Sequence, residues 1–197
     1  MAKKHGPNKE NLEATRKLFL QIARHEFSTK GFYGTSTADI VEESGMARGS
    51  LYYHFGDKKG LFRAVYYELM VELQAIIRGT VANENDPWAV LMTASNKWLD
   101  ICTDPYVRRI VIDVHTAIPY QERIEILQET LMNELSGIMK NVVEAGYFKG
   151  QNPRMLTMMI FGLLSESGRS LELAQDAMQA RTELGETYMK FMETARG

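Results

Sequence analysis

The chain has 197 residues, 45% of them hydrophobic, with 23 Lys and Arg against 25 Asp and Glu, a net charge of -2, and one cysteine. The apolar share excludes a disordered chain, and the single thiol (Cys102) excludes an intrachain disulfide and favours a reducing compartment. The near-neutral charge, taken as an average, argues against a nucleic-acid binder.

The first residues carry Lys3, Lys4 and Lys9 with no apolar run behind them, so they do not form a secretory signal and read as a solvated tail, with an arm reaching a nucleic-acid minor groove as the alternative. A first helix follows, with Phe19, Ile22, Ala23 and Phe27 on one face and Gly31 as its expected end. Ser36 with Asp39 resembles a capping box and opens a short helix, which Ser44-Gly45-Met46 breaks. A second short helix runs from about Arg48 to His54. Asp57 then caps a long helix whose apolar face is read as Leu61, Phe62, Val65, Leu69, Leu73 and Ile76. Three later helices start at Asp86-Pro87, Asp104-Pro105 and Asn152-Pro153, where Asp or Asn takes the cap position and Pro the first helical position. The most regular stretch is Ile124, Leu127, Leu131, Leu135, Ile138 and Val142, with Gly146 as the expected C-cap. A last amphipathic segment carries Leu184, Tyr188, Phe191 and Met192. No strand pattern and no repeat is found, so the fold class is all-α with about nine helices. The most apolar run, Met155 to Leu164, is about half of the roughly 20 residues that a membrane span needs, and the expected location is the cytoplasm.

Two short helices around a glycine turn make a helix-turn-helix over about residues 36–55. Counted from Thr37, Ile40 stands fourth, Gly45 ninth and Leu51 fifteenth, where packing needs an apolar residue, a residue with positive φ and a second apolar residue. Leu51 and Phe55 face inward on the second helix. Arg48, Ser50, Tyr52, Tyr53 and His54 are left for the surface. Arg48 can fork onto a guanine edge, Ser50 can bond a base or phosphate, and a tyrosine ring can cover a thymine methyl. The tyrosine hydroxyls, His54 and Lys58 can hold phosphates. Charge agrees with this placement. Residues 1–63 hold 11 basic and 7 acidic residues, a balance of +4, and residues 64–197 hold 12 and 18, a balance of -6. Attraction for a polyanion is thus local to the end that carries the motif.

At the phrases Gly31-Phe32-Tyr33-Gly34-Thr35-Ser36, Asp39-Ile40-Val41, Gly49-Ser50-Leu51-Tyr52-Tyr53-His54-Phe55 and Lys58-Lys59-Gly60-Leu61-Phe62 the chain resembles the tetracycline-repressor-like (TetR/AcrR) regulators of bacteria. The resemblance implies a DNA-binding domain over residues 11–60 and an effector-binding and dimerisation domain over residues 61–197. It implies Thr37 near a phosphate at the start of the first short helix. Arg48, Gly49, Ser50 and Tyr53 would face the bases, and Tyr52, His54 and Lys58 the backbone. Ala47 departs from the family's usual Ser or Thr and removes a side-chain cap worth about 1 kcal/mol. Val41 is larger than the residue usual where the two helices cross.

The body resembles the family more loosely, from Trp98 through Arg108-Arg109-Ile110 and Asp113 to Gly146. The resemblance implies a small-molecule pocket between the fourth helix and helices 5 to 8. Its candidate lining is Tyr66, Met70, Trp88, Met92, Trp98, His115, Met132, Met139, Phe161 and Leu164, although plain core packing is the default for any one of them. It also implies a homodimer through the last two helices, with Met159, Leu163, Leu184, Tyr188, Phe191 and Met192 as candidate interface residues. The four histidines (His5, His25, His54, His115) lack metal-ligand spacing, and no metal or cofactor is expected. Cys102 reads as a packing residue, and Glu166 and Arg169 as a ligand anchor, a cross-dimer pair or a solvated pair.

The expected function is a ligand-responsive, sequence-specific transcriptional regulator, a repressor, acting as a homodimer on a palindromic operator. The alternatives are a DNA-binding structural protein without an effector and an enzyme using the helical cavity. No nucleophile–base pair, phosphate loop or metal motif supports the enzyme.

Overall fold

The computed structural model describes residues 9–196 and, for Glu172 and Leu173, the backbone alone. The helices are α1 (Lys9–Gly34), α2 (Thr37–Ser44), α3 (Arg48–Phe55), α4 (Lys58–Thr80), α5 (Pro87–Ile101) and α6 (Pro105–Ala117). After them come α7, running as Tyr120–Leu127, a π turn at Gln128–Met132 and Asn133–Glu144, then α8 (Pro153–Leu173) and α9 (Ala177–Ala195). The fold is all-α: among the described residues there are nine helices, counting α7 as one, and no strand. None of these helices is long and apolar enough to cross a membrane. Lys9 is exposed at the start of α1, and Lys3, Lys4 and His5 lie outside the described residues.

Most helix starts follow from their capping residues. The Asp86 carboxylate accepts from the Ala89 amide, Asp104 from Tyr106 and Val107, Asn152 from Arg154, Ser36 from Ala38 and Asp57 from Gly60. Each satisfies amides that the first turn leaves without a helical partner.

Three details differ from the sequence reading. Gly31 does not end α1 but kinks it at φ 75° and ψ 171°, and one further turn carries Phe32 to Gly34. This backbone region is almost confined to glycine. The α4 face runs through Leu69, Leu73 and Ile77, whereas Ile76 is exposed, because four-residue steps continue to the helix end. The third is the π turn in α7. It rotates the buried face, so Ile126 is buried before it, Thr130 and Leu131 within it, and Met139 and Val142 after it. The Thr130 hydroxyl donates to the Ile126 carbonyl at 2.7 Å, and Gln74 of α4 donates to the Thr130 carbonyl at 3.1 Å.

The core has two parts. The first runs from Phe19, Phe27, Ile40 and Leu51 through Phe62, Val65 and Leu69 of α4 to Ile110 and Val114 of α6 and Ile126 of α7. The second joins Trp88, Leu91 and Leu99 of α5, Met139 and Val142 of α7, Ile160 of α8 and Tyr188 and Met192 of α9. The helix-turn-helix is therefore not a separate globule, since α4 and α6 extend its core into the body.

Gly60 shows how tightly α3 abuts α4. A Cβ on Gly60 would overlap the Phe55 carbonyl oxygen, whereas one on Gly49 meets nothing within 4 Å. Gly60→Ala is expected to cost about 1–3 kcal/mol, as overpacking does, and Gly49→Ala to leave the melting temperature unchanged or raised. Thermal denaturation followed by circular dichroism distinguishes the two.

Candidate DNA-binding face and body cavity

Gly45, at φ 64° and ψ 10°, closes α2 in the left-handed region and turns the chain into α3. Ile40 and Leu51 are fully buried, and Phe55 meets Phe19 edge to face at 6.3 Å. These contacts leave the opposite side of α3 outward. Ala47 makes no side-chain cap, so the first amides of α3 lack the hydrogen bond that a capping side chain would supply. An uncapped helix start favours an anion.

The candidate DNA contacts fall on this side. Arg48, Gly49 and Tyr53 are exposed, Tyr53 to 74%, while Thr37, Ser50, Tyr52, His54 and Lys58 are half-buried. Three of them meet. The Tyr52 hydroxyl lies 3.4 Å from the Thr37 hydroxyl and accepts from the Arg48 guanidinium at 3.3 Å. The Thr37 hydrogen bond first, and the Arg48 hydrogen bond and charge after it, lower the Tyr52 pKa from its ordinary value. Tyr53 and His54 stack edge to face at 5.3 Å. Asn11, Leu12 and Thr15 of α1 border a shallow groove with Gly49, Ser50, Tyr53 and His54. These α1 residues were not singled out in sequence, because only the fold brings them beside α3. Lys58 is placed differently from its neighbours: its ammonium sits 4.5 Å from the centre of the Phe32 ring, while Lys59 is exposed.

The same Phe32 ties this head to the body. Its amide donates to the buried Asp113 carboxylate of α6 at 2.6 Å. Asp113 also pairs with Arg109 at 3.4 Å, and the Arg109 guanidinium covers Gly31 so closely that a Cβ there would collide with it. The kink in α1 is thus gripped by one turn of α6. The sequence carried a partial signal, opposite charges four residues apart on a helix, but not the partner in α1.

A cavity of about 60 Å³ lies in the body, at the seam between the two core parts. Ile77, Ala94 and Leu131 line it from the first part and Leu164 from the second, with Trp98 and Ile138 packed against both. Gln74, Glu134 and Ser165 supply polar groups. Glu134 is held by Arg78 at 2.5 Å, so its charge is already matched. Of the ten expected pocket residues, Trp98, Phe161 and Leu164 line this cavity. Tyr66, Met70, Trp88, Met92 and Met139 are buried in core packing instead, because each projects into a core part rather than the seam between them. Met132 is on the π turn but off the cavity, and His115 is exposed, with its Nδ1 against the Arg123 guanidinium. Partial loss of water, then the charges of Arg123 and Arg169, lower the His115 pKa. Burial pushes the Cys102 thiol up to about 12, which suits a packing residue. Glu166 and Arg169 pair with each other, Arg169 Nε donating at 2.9 Å.

The two last helices present an apolar outer face. Met155, Met158, Met159 and Leu163 of α8 and Phe191 of α9 are exposed, and Leu184 is half-buried. Tyr188 and Met192 are corrections to the expected interface. Both are buried inside the chain, Tyr188 with its hydroxyl 3.0 Å from that of Ser95, because α9 has apolar residues on two faces and these occupy the inner one. No group of His, Cys, Asp and Glu suited to a metal ion occurs among the described residues.

Comparison with known proteins gives two family matches that together span most of the chain. Residues 19–65 match the bacterial regulatory proteins of the tetR family, and residues 88–194 match the tetracyclin repressor-like C-terminal domain. The TetC protein of transposon Tn10 in Escherichia coli is 25% identical over 78% of this chain and 78% of its own length. The HTH-type transcriptional regulator AcrR of Shigella flexneri is 30% identical over 70% of this chain and 58% of its own length. Among solved structures, a TetR-family transcriptional regulator from Pectobacterium atrosepticum superposes with a TM-score of 0.83 at 23% identity, covering 96% of this chain and 98% of that one.

Asp113→Ala strands the Phe32 amide, and losing a buried partner costs about 1–3 kcal/mol. Asp113→Asn keeps an acceptor for that amide but gives up the charge on the hydrogen bond, and it weakens the half-exposed pairing with Arg109, a pairing worth about 1 kcal/mol or less. Urea denaturation of both variants is expected to rank Ala below Asn and Asn below the parent.

Proposed function

Because the chain belongs to the TetR family of bacterial regulatory proteins and is a DNA-binding transcriptional regulator, we propose that it is a ligand-responsive repressor. In this reading it acts in the cytoplasm as a homodimer on a palindromic operator. Residues 11–60 form the DNA-binding domain and residues 61–197 the effector-binding and dimerisation domain. Arg48, Gly49, Ser50 and Tyr53 read base edges and thymine methyls, while Thr37, Tyr52, His54 and Lys58 hold phosphates. Arg48 leaves its hydrogen bond with Tyr52 to reach a base. Lys58 must exchange the Phe32 ring for a phosphate, so its contribution is smaller than its position in the motif implies.

The single observation that carries ligand response is the cavity at the seam of the two core parts. Ligand pockets usually hold about 300–1,000 Å³, and this one holds about 60 Å³. A ligand must therefore part the walls. One wall is α4, which shares the head's core, and its Gln74 is bonded to the π turn of α7. The ligand stabilises the parted conformation, and the free state favours the closed one, which is a population shift. Recognition helices of a dimer must meet successive major grooves about 34 Å apart, so a small tilt of α4 weakens operator binding. The dimer uses the outer faces of α8 and α9, with Met159, Leu163 and Phe191 central and Leu184 at the edge. Such a contact is self-complementary across a two-fold axis.

Gel shifts at fixed salt against the chain's own upstream DNA test the reading. Arg48→Ala is expected to relax sequence preference by about 1–3 kcal/mol, and Lys58→Ala to weaken all sequences alike and lower the salt slope by about one. Unchanged binding in both Arg48→Ala and Tyr53→Ala would remove α3 from recognition. Leu163→Glu places a charge in the proposed α8–α9 contact and is expected to give a monomer by analytical ultracentrifugation, with operator affinity falling in step.

A further inference from the structure

Beside the apolar cavity lies a second, smaller one of about 10 Å³, lined by Arg108 and Arg169 together with Cys102 and Gly168. Trp98 and Ser165 line both cavities. The Trp98 indole donates to the Leu164 carbonyl at 3.0 Å, and Gly168 leaves its neighbours so close that a Cβ would overlap the Cys102 sulfur. The two spaces therefore share a wall to which Trp98 and Ser165 contribute.

Their polar groups differ in kind. On the apolar side the one charge, Glu134, is neutralised by Arg78. On the other side Arg108 uses one guanidinium nitrogen on the Leu171 carbonyl at 3.1 Å, while its Nε is buried without a hydrogen-bond partner. A buried cationic donor without an acceptor is costly, and an anion is the group that satisfies it best. Arg169 lines the same space, but both Glu166 oxygens accept from its guanidinium, so its charge is matched and Arg108 supplies the unmatched donor. The protonated Cys102 thiol brings no competing negative charge.

We propose that the effector of this site is an amphiphilic anion, with an apolar body in the seam cavity and an acidic head at Arg108. The inference rests on the reading of the body cavity as the effector site. Swinging Trp98 aside joins the two spaces, and the acidic head takes the hydrogen bond that Arg108 Nε lacks. A neutral molecule of equal length fills the seam but leaves that Nε unsatisfied, and a cation meets the Arg108 guanidinium.

Calorimetric titration of the full chain with decanoate, decanol and decylamine tests this, since the three share one apolar body and differ in head charge. Decanoate is expected to bind about tenfold or more tightly than the other two, the scale of one charge-assisted hydrogen bond. Arg108→Gln is expected to bring decanoate down to the affinity of decanol while decanol stays as it was. Equal affinities for decanoate and decanol, a preference for decylamine, or binding of none of the three would overturn the proposal. The comparison of probes on the unaltered chain holds whether or not Arg108→Gln folds. A parallel gel shift separates the two readings. Decanoate binding that leaves the protein on its operator defeats ligand response and spares the anion site. Operator binding with no decanoate binding does the reverse.

Discussion

The carboxylate of Asp113 reaches from α6 to the amide of Phe32, one residue past the point where Gly31 bends α1. A buried carboxylate on a backbone amide is a charge-assisted hydrogen bond that neither side can give up cheaply. Around it the remaining parts of the junction line up. Arg109 covers Gly31, the Lys58 ammonium lies on the Phe32 ring, and Phe32 packs on Phe62 at 5.0 Å. The first turn of α4, the kink of α1 and the middle of α6 are thereby fixed relative to one another.

That junction explains why the division into head and body is functional more than mechanical. The apolar core of the helix-turn-helix continues through α4 into α6 and α7. Ion pairs from Arg16 to Glu68 and from Arg24 to Glu72 add modest exposed links between α1 and α4. The weaker boundary lies deeper, at the seam between the two core parts, and there the cavity forms. A close-packed interior transmits displacement instead of absorbing it. In the proposed mechanism, a ligand that opens the seam moves the head together with α4 and α6.

The π turn belongs to the same logic. An α-helix through Gln128–Met132 would place Met139 and Val142 out of phase with Ile126. The extra residue lets one helix serve both core parts, and Gln74 donates to the Thr130 carbonyl within the turn. Such a turn stores a local alternative in helix register, beside the wall that a ligand would press.

Much of this was legible in the chain of residues, for a physical reason. Helix starts are local: a capping side chain bonds amides two or three residues away, so Asp57, Asp86, Asp104 and Asn152 announced α4, α5, α6 and α8 without help from the rest of the fold. The helix-turn-helix is equally local, because Ile40, Gly45 and Leu51 meet within one short segment. What only the tertiary structure decided lies between distant segments. Asp113 finds Phe32 across 81 residues, a pairing that no periodicity encodes. Apolar residues occur on two faces of α9, and packing alone turned Tyr188 and Met192 inward and left Phe191 outside. Methionines and aromatics look the same in sequence whether they fill a core or line a void. The cavity exists where two packed cores fail to close on each other, and that depends on the shapes of both.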